Sequence, residues 1–116
     1  MTENHTVSAF EELQADISSF DRLHNVSATI EGRALDLVSE VGELSKELLN
    51  GTRYGEEPFI ASEAWEIELG DVLYSLIRLA NHTQINLGRA IQATLSKYEK
   101  RWERKGTISS DEREPS

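Results

Sequence analysis

The sequence of 116 residues contains no cysteine. This absence excludes a disulfide framework, a thiolate metal site and a cysteine nucleophile, so the chemistry that remains is that of oxygen ligands. The sequence also lacks an apolar run of the roughly 20 residues that a membrane span needs. Its first residues show neither the basic nor the apolar region of a secretory signal. We therefore expect a cytoplasmic protein without a membrane partner.

Basic residues are scarce relative to acidic ones. The chain has 12 Lys and Arg against 21 Asp and Glu, which gives a formal net charge of −9 at pH 7. A chain with this charge does not present the broad basic surface that binds the backbone of DNA or RNA. We expect no polynucleotide partner, and the acidic excess needs another explanation.

Proline, the strongest helix breaker, occurs only twice, at Pro58 and Pro115. Apolar residues recur every three or four positions, as at Trp65, Leu69 and Val72, which is the period of an amphipathic helix. This pattern predicts four helices separated by short polar or glycine-containing connections. The predicted helices run from about Ser8 to Asn25, from Ile30 up to a stop at Asn50-Gly51, from Ser62 until Asn81-His82, and from about Asn86 through Trp102, with a loop predicted over residues 50–61.

Four helices in a chain of this length predict an all-α fold, a four-helix bundle. We predict one domain over residues 7–105 and a polar, mobile tail over residues 106–116. A chain this small buries only about 60 to 65% of its unfolded surface, so its core is marginal on its own. We therefore expect the bundle to be completed by oligomerisation.

Two pairs of carboxylates stand out within the predicted helices. Glu40 and Glu43 lie on the second helix, and Glu68 and Asp71 on the third, each pair with a spacing of i, i+3. In two antiparallel helices that bury their apolar stripes against each other, these pairs occupy matching flanks. Glu43 and Glu68 are each about six residues from the intervening loop, which is about 9 Å along the helix axis. The two pairs should therefore converge.

Converging carboxylates repel each other. A pair about 6 Å apart costs about 2 to 3 kcal/mol at an effective dielectric constant of about 20. Protonation or nearby lysines would relieve the repulsion, but the simplest interpretation is a divalent cation. A site made only of oxygen ligands selects Mg²⁺ or Mn²⁺ over zinc. Because Mg²⁺ commonly completes its coordination with substrate phosphates, such a site points to phosphoryl chemistry.

A single E-x-x-E pair on a helix is common and usually belongs to a solvated face. The prediction of a metal site therefore depends on there being two pairs, which lie on matching flanks of their helices and at the same distance from the loop.

The residues around these pairs resemble a known family. The segment E-V-G-E-L at 40–44 and the segment E-L-G-D-V-L at 68–73 are similar to the E-x-x-E and E-x-x-D signature of the MazG-like, all-alpha nucleoside triphosphate pyrophosphohydrolases. The segments at 79–91 and K-Y-E-K-R at 97–101 look like the final helix of that family. The resemblance covers roughly residues 8–103.

The resemblance implies Mg²⁺-dependent hydrolysis of a nucleoside triphosphate between its α and β phosphates, which releases a monophosphate and pyrophosphate. It also implies a homodimer or homotetramer. By motif match, the metal would be held by Glu40, Glu43, Glu68 and Asp71, and Glu43 would also orient or deprotonate the attacking water. Many family members have a second glutamate directly before the first motif. Here that position is Ser39, which leaves the identity of the general base open.

Four further residues are predicted to contact the substrate. Lys97 and Arg101 share a face of the fourth helix and would approach phosphate oxygens, or would only favour the helix dipole. Arg78 lies about two turns beyond Asp71 on the same flank. We interpret Arg78 as a phosphate contact or as the ion-pair partner of a metal ligand, and slightly favour the second. Asn81 would contact a base or sugar, or would only end the third helix.

Two other functions remain open on the sequence. One is a non-catalytic helical adaptor, in which the acidic stripe only keeps the chain in solution. The other is a family member that binds nucleotides without cleaving them, which the serine at position 39 keeps under consideration. The leading hypothesis is the nucleotide pyrophosphohydrolase.

Overall fold

The structure is a computed structural model that describes residues 3–109, with side chains from His5 onwards. Four α-helices follow one another along the chain, and the described residues contain no strand, which confirms the all-α prediction. The helices are α1 (Glu3–Leu23), α2 (Ile30–Gly51), α3 (Glu63–His82) and α4 (Leu87–Lys105). The bounds of α2, α3 and α4 lie close to their predicted positions. Helix α1 begins earlier than predicted, since no glycine or proline precedes Ser8 to stop it.

Three of the helices begin with a side-chain cap. The backbone N–H of Gly32 donates to Thr29 Oγ1 at 2.9 Å before α2, and that of Trp65 donates to Ser62 Oγ at 3.1 Å before α3. Asn86 Oδ1 accepts from the N–H of Arg89 at 2.9 Å at the start of α4. Each bond satisfies one of the four N–H groups that a helix leaves without an intrahelical partner. These polar residues therefore set where the helices begin.

The helix ends depend on residues with positive φ. Gly106 has φ 71° and its N–H donates to Trp102 O at 2.8 Å, which ends α4 in the left-handed conformation that glycine tolerates best. The loop after α2 turns through Arg53 and Tyr54, whose φ values of 51° and 60° precede Gly55 at 89°. Helix α2 includes the first two residues of the predicted loop over residues 50–61, and the rest of that loop begins with this turn.

The chain divides into two units. The first combines residues 1–11 with residues 86–116, and the second comprises residues 12–85. In the first unit α4 comes so close to the beginning of α1 that a Cβ on Gly88 would lie 2.7 Å from Val7 Cα. Only glycine allows this approach of two backbones. Asn86 Nδ2 also donates to Glu11 Oε2 at 3.0 Å in the same unit.

The second unit is built on the pairing of α2 with α3, the one extensive helix–helix contact in the described part of the chain. Its interior is unusually polar. Among residues 5–109 the buried apolar side chains are Ile77, which is fully enclosed, and Ala80, while the polar residues Gln14, Arg33 and Ser75 are also buried. Apolar residues that were predicted to line the core stay largely open, including Val41 at 43% and Leu69 at 45% exposure. The single chain therefore leaves much apolar surface uncovered.

None of the helices within residues 3–109 combines the length and the apolar composition needed to cross a bilayer. Helix α4 ends at Lys105, and the predicted tail from residue 106 stays a prediction. Residues 110–116 of that tail lie outside the described residues, and the predicted single domain over residues 7–105 stays a prediction.

Candidate metal centre

Three of the predicted metal ligands meet where α2 packs on α3. Glu40 on α2 and Glu68 and Asp71 on α3 each offer a carboxylate oxygen, and these oxygens all lie within 4.8 Å of one another. We call these three residues the acidic cluster. The i, i+3 spacing puts Glu68 and Asp71 on one face of α3, and the packing of α2 on α3 brings Glu40 to them.

Glu68 carries the strongest sign of an uncompensated charge. Its Oε2 atom is buried and has no hydrogen-bond partner. Loss of solvation raises the pKa of Glu68 above its usual range, and the charges of Asp71, Glu40, Glu43 and Glu47 raise it further, in that order. A buried carboxylate oxygen without a donor is costly unless a proton or a cation reaches it.

The chemistry of the acidic cluster suits a hard divalent cation. Its donors are carboxylate oxygens alone, which Mg²⁺ and Mn²⁺ prefer over nitrogen or sulfur ligands. The unpartnered oxygen of Glu68 supplies an independent sign, because a cation would satisfy both this atom and the repulsion among its neighbours. The residues present therefore fit the metal that the sequence predicts.

Glu43 is not part of the acidic cluster. Its side chain is exposed, and the group of mutually close oxygens contains Glu40, Glu68 and Asp71 only. Glu43 is still near enough for its charge to raise the pKa of Glu68. The predicted convergence of four carboxylates is therefore observed for three, and the roles of Glu43 as ligand and base stay predictions.

A cavity of about 260 Å³ opens beside the acidic cluster. We call it the carboxylate cavity. Its walls include Asp36, Ser39, Glu40, Asp71, Tyr74 and Arg78. Acidic side chains thus line one part of it, and a guanidinium and a phenol line another. A space with carboxylates for a cation and a guanidinium for an anion can receive a cation together with a phosphate group.

Comparison with known proteins assigns the fold and the motifs to a family. The sequence model of the MazG nucleotide pyrophosphohydrolase domain matches residues 28–105, a range that contains all of α2, α3 and α4. The chain belongs to the MazG family. This confirms the resemblance inferred from the two carboxylate motifs, both of which lie inside the matched range.

A relative in Bacillus subtilis (strain 168) supports this assignment. The chain is 41% identical over 76 residues to the uncharacterized protein YpjD, an alignment that covers 60% of this chain and 67% of YpjD. No solved structure matches the chain. The MazG assignment therefore rests on sequence comparison and on the all-α architecture.

Arg78 of this MazG chain has a different ion-pair partner from the one that we favoured. Its Nε atom lies 3.3 Å from Asp21 Oδ2 on α1, and its Cζ atom lies 5.2 Å from the centre of the Tyr74 ring. Arg78 therefore pairs with a residue outside the predicted metal ligands, and its role towards a metal ligand or a phosphate stays a prediction. Sequence spacing along α3 could not reveal Asp21, because the contact is made from another helix.

Asp21 is the centre of a second charged group in the same unit. Tyr74 Oη donates to Asp21 Oδ1 at 2.6 Å, and Arg33 Nη1 lies 3.8 Å from Asp21 Oδ2. We call Asp21, Arg33 and Arg78 the arginine cluster. Burial and the hydrogen bond to Asp21 raise the pKa of the Tyr74 phenol, so the phenol stays protonated and donates. Arg33 is held in turn by His82, whose Nδ1 accepts from Arg33 Nε at 3.0 Å.

Sequence reasoning missed Asp21 and Tyr74. A signal for Tyr74 was present, since it follows Asp71 by three residues and so shares its face of α3. No comparable signal marks Asp21, which reaches the cavity wall only because α1 packs against α3 at this point.

Asn81 uses its amide within the fold. Asn81 Oδ1 accepts from Gln14 Nε2 at 2.9 Å, and Asn81 Nδ2 donates to the backbone oxygen of Gln14 at 3.0 Å. Gln14 Nε2 also donates to the backbone oxygen of Ile85 at 2.9 Å. This arrangement ties α1 to the end of α3. A substrate contact by Asn81 stays a prediction.

Lys97 and Arg101 share one face of α4, as their spacing predicts. Lys97 Nζ lies 5.1 Å and Arg101 Cζ lies 5.7 Å from the centre of the Tyr98 ring. With Lys100 and Arg104 they line a surface cavity of about 490 Å³ in the first unit. The local concentration of positive charge on an acidic protein suits an anion, and contact with substrate phosphates stays a prediction.

Proposed function

We propose that this MazG chain is a Mg²⁺-dependent pyrophosphohydrolase that cleaves a canonical or damaged (deoxy)nucleoside triphosphate to the monophosphate and pyrophosphate. Mn²⁺ is an alternative metal. The acidic cluster carries this proposal, because its three carboxylates come from both halves of the family motif and include a buried oxygen without a partner.

Each motif residue has a role in the proposal. Glu40, Glu68 and Asp71 would hold the cation, as their mutually close oxygens suggest. When bound, a divalent cation offsets phosphate charge and makes a water molecule more acidic. Glu43, exposed and outside the acidic cluster, would orient or deprotonate the attacking water and complete the metal site.

Positive side chains would bind the triphosphate. Arg78 lines the carboxylate cavity, together with Glu40 and Asp71. Lys97 and Arg101 on α4 are proposed as further phosphate contacts, and Asn81 as a contact to the base or sugar. These contacts would offset the charge of a substrate that the net acidic surface of the protein otherwise repels.

The proposed enzyme works as a homodimer or homotetramer in the cytoplasm. Large apolar side chains on α2 and α3 remain open to solvent in the single chain, including Leu35 at 69%, Val38 at 68% and Ile67 at 57% exposure. An apolar surface of this kind commonly marks a protein interface. With only Ile77 and Ala80 as buried apolar side chains among residues 5–109, partner chains would supply the missing core.

The direct test is a panel of canonical and oxidised or methylated nucleoside triphosphates incubated with the full chain and Mg²⁺. We expect pyrophosphate and a monophosphate in equal amounts from at least one nucleotide. Release of single phosphate, or no product from any of them, would contradict the proposed reaction. Glu68→Gln, purified in the same way, is the control for contaminating activity because it should give little product, and Glu66→Gln on the exposed first turn of α3 is its matched variant, which should behave as wild type.

The alternative of a nucleotide-binding protein without catalysis has one observation in its favour. Ser39 lies in the wall of the carboxylate cavity, at the position where many family members have a glutamate. Mg²⁺-dependent binding of a triphosphate with no pyrophosphate release would establish this alternative. A helical adaptor would show neither binding nor turnover.

A further inference from the structure

Asp21 makes two contacts that converge on the wall of the carboxylate cavity. Its Oδ2 atom pairs with Arg78 Nε at 3.3 Å, and its Oδ1 atom accepts the 2.6 Å hydrogen bond from Tyr74. Arg78 and Tyr74 both line that cavity, whereas Asp21 does not. Asp21 therefore contacts two side chains that line the carboxylate cavity, but does not line the cavity itself.

The contacts of Arg78 define the direction of its guanidinium. Asp21 lies at the Nε edge, and the Tyr74 ring lies against the group with its centre 5.2 Å from Cζ. Among residues 5–109, no hydrogen bond is made by the two terminal nitrogens of Arg78. The Nε atom of Arg78 has the ion pair with Asp21 but no hydrogen-bond partner. With Asp21 on this side and the Tyr74 ring alongside, the guanidinium still has its terminal pair to offer, which matches two oxygens of a phosphate.

Arg33 keeps Asp21 itself in place. Its side chain is about one-tenth exposed, its Nη1 atom lies 3.8 Å from Asp21 Oδ2, and His82 accepts from its Nε. Two arginines thus share one carboxylate, so the arginine cluster carries a net positive charge at pH 7. Arg78, one of the two positive side chains, lines both the carboxylate cavity and an adjacent cavity of about 350 Å³.

We propose that Asp21 is a positioning residue, which holds the Arg78 guanidinium in the orientation that binds phosphate oxygens at the carboxylate cavity. The proposal deepens the function given above and rests on it for the nature of the anion. Fixing the guanidinium before the anion arrives removes the entropy cost of ordering a long side chain during binding. Asp21 acts only through Arg78 and touches no substrate atom itself.

The experiment is a double-mutant cycle on binding of pyrophosphate in the presence of Mg²⁺, measured by calorimetry on the full chain. Arg78→Gln removes the phosphate contact, and we expect affinity to fall about tenfold, in the range for a hydrogen bond to a charged group. Asp21→Asn should weaken binding by a similar factor. The double variant should bind no worse than Arg78→Gln alone, because Asp21 has no route to the anion except through Arg78.

Two results with the variants would overturn the proposal, and so would one with the wild type. One is an Asp21→Asn variant with wild-type affinity. The other is a double variant in which the two losses multiply, since that would mean that Asp21 acts independently of Arg78. Wild-type protein that fails to bind pyrophosphate with Mg²⁺ would also refute it.

Asp21→Asn leaves two arginines without their carboxylate, so Asp21→Glu serves as a second variant if Asp21→Asn does not fold. It retains the charge but moves the carboxylate by one methylene, so we expect weaker pyrophosphate binding with a folded, cooperative melting transition. Wild-type affinity in Asp21→Glu would count against positioning. Glu57→Gln is the matched control, because Glu57 pairs with Arg53 at 3.3 Å on the exposed surface of the same unit and should not alter binding.

The double-mutant cycle tests the role of Asp21 and the nucleotide panel tests the proposed reaction, so one can be refuted without the other. A chain that releases no pyrophosphate from any triphosphate, but shows the non-additive cycle, would refute the proposed reaction and support the role of Asp21. A chain that releases pyrophosphate and shows full additivity would support the reaction and refute the role of Asp21.

Discussion

The acidic cluster and the arginine cluster lie in the same unit but differ in how their charges are compensated. Glu40, Glu68 and Asp71 bring like charges within 4.8 Å and leave one buried oxygen without a donor. In the arginine cluster, one carboxylate is shared by two guanidiniums and also accepts from a phenol. The first group lacks a counter-charge from the protein, whereas the second contains its own.

This difference separates a ligand site from the framework that supports it. Like charges held together by the fold cost stability, and a protein tolerates that cost where a ligand supplies the opposite charge. A carboxylate that accepts a hydrogen bond and pairs with two guanidiniums stabilises the fold and orients the groups around it. Four predictions test this contrast, in order of decreasing expected effect.

Replacing an acidic-cluster ligand should remove activity without harming the fold. Glu68→Gln keeps the shape of the side chain but weakens its hold on a cation, so we expect pyrophosphate release to fall by more than about 100-fold, the upper cost of losing a mere outer-shell partner. Glu43→Gln should abolish turnover as well if Glu43 acts on the water. The assay is pyrophosphate release under saturating Mg²⁺, with circular dichroism to monitor folding.

Metal should stabilise the protein through the acidic cluster. A cation that binds only the folded state adds about 2.7 kcal/mol at a concentration 100 times its Kd. The melting temperature in MgCl₂ should therefore rise above that at equal ionic strength in NaCl, and this rise should disappear in Glu40→Gln. An equal response of wild type and Glu40→Gln would mean that the cluster is a solvated acidic face.

Breaking the arginine cluster should weaken the fold more than breaking an exposed ion pair. Arg33→Gln removes a nearly buried partner of Asp21 and His82, and we expect the free energy of unfolding to fall by about 2 kcal/mol. Arg53→Gln, in which the lost pair with Glu57 is exposed, should change it by less than about 0.5 kcal/mol. Urea denaturation of both variants gives this comparison. If both lose the same free energy of unfolding, the buried pair stabilises the fold no more than the exposed one does.

The pH dependence of stability should distinguish the two clusters in metal-free buffer. The folded state raises the pKa of Glu68, so it binds this proton more tightly than the unfolded chain does. The resulting contribution to stability is complete below the usual glutamate pKa of about 4.5 and is lost as pH rises through the elevated folded value. Glu68→Gln should therefore be more stable than wild type at neutral pH, by a difference that shrinks as pH falls. A difference that grows on acidification would have the wrong sign.

Much of the local structure could be predicted from the sequence because it depends on short-range patterns. The caps Thr29, Ser62 and Asn86 and the apolar period locate three helices closely. The carboxylate pairs could be predicted to meet because two paired helices are related by a simple geometry. Three of those four ligands lie where that geometry puts them.

The remaining features depend on packing that periodicity does not encode. Asp21 lies on α1 and meets Arg78 and Tyr74 on α3, a contact made across more than 50 residues of sequence. The apolar stripes were predicted to be buried, yet Val41 and Leu69 remain exposed in the single chain. A stripe shows that a face is apolar, but it does not say whether the same chain or another one covers that face.

The hydrogen bonds that Gln14 Nε2 donates limit how the sequence of α1 can change. Both of its side-chain donor contacts go to acceptors, Asn81 Oδ1 and the backbone oxygen of Ile85. A single-base change in a glutamine codon yields glutamate, the residue at both Glu11 and Glu12. At position 14 that change would replace the donating amide by a buried anion facing two oxygens. Glutamate at position 14 should therefore destabilise the contact between α1 and the end of α3.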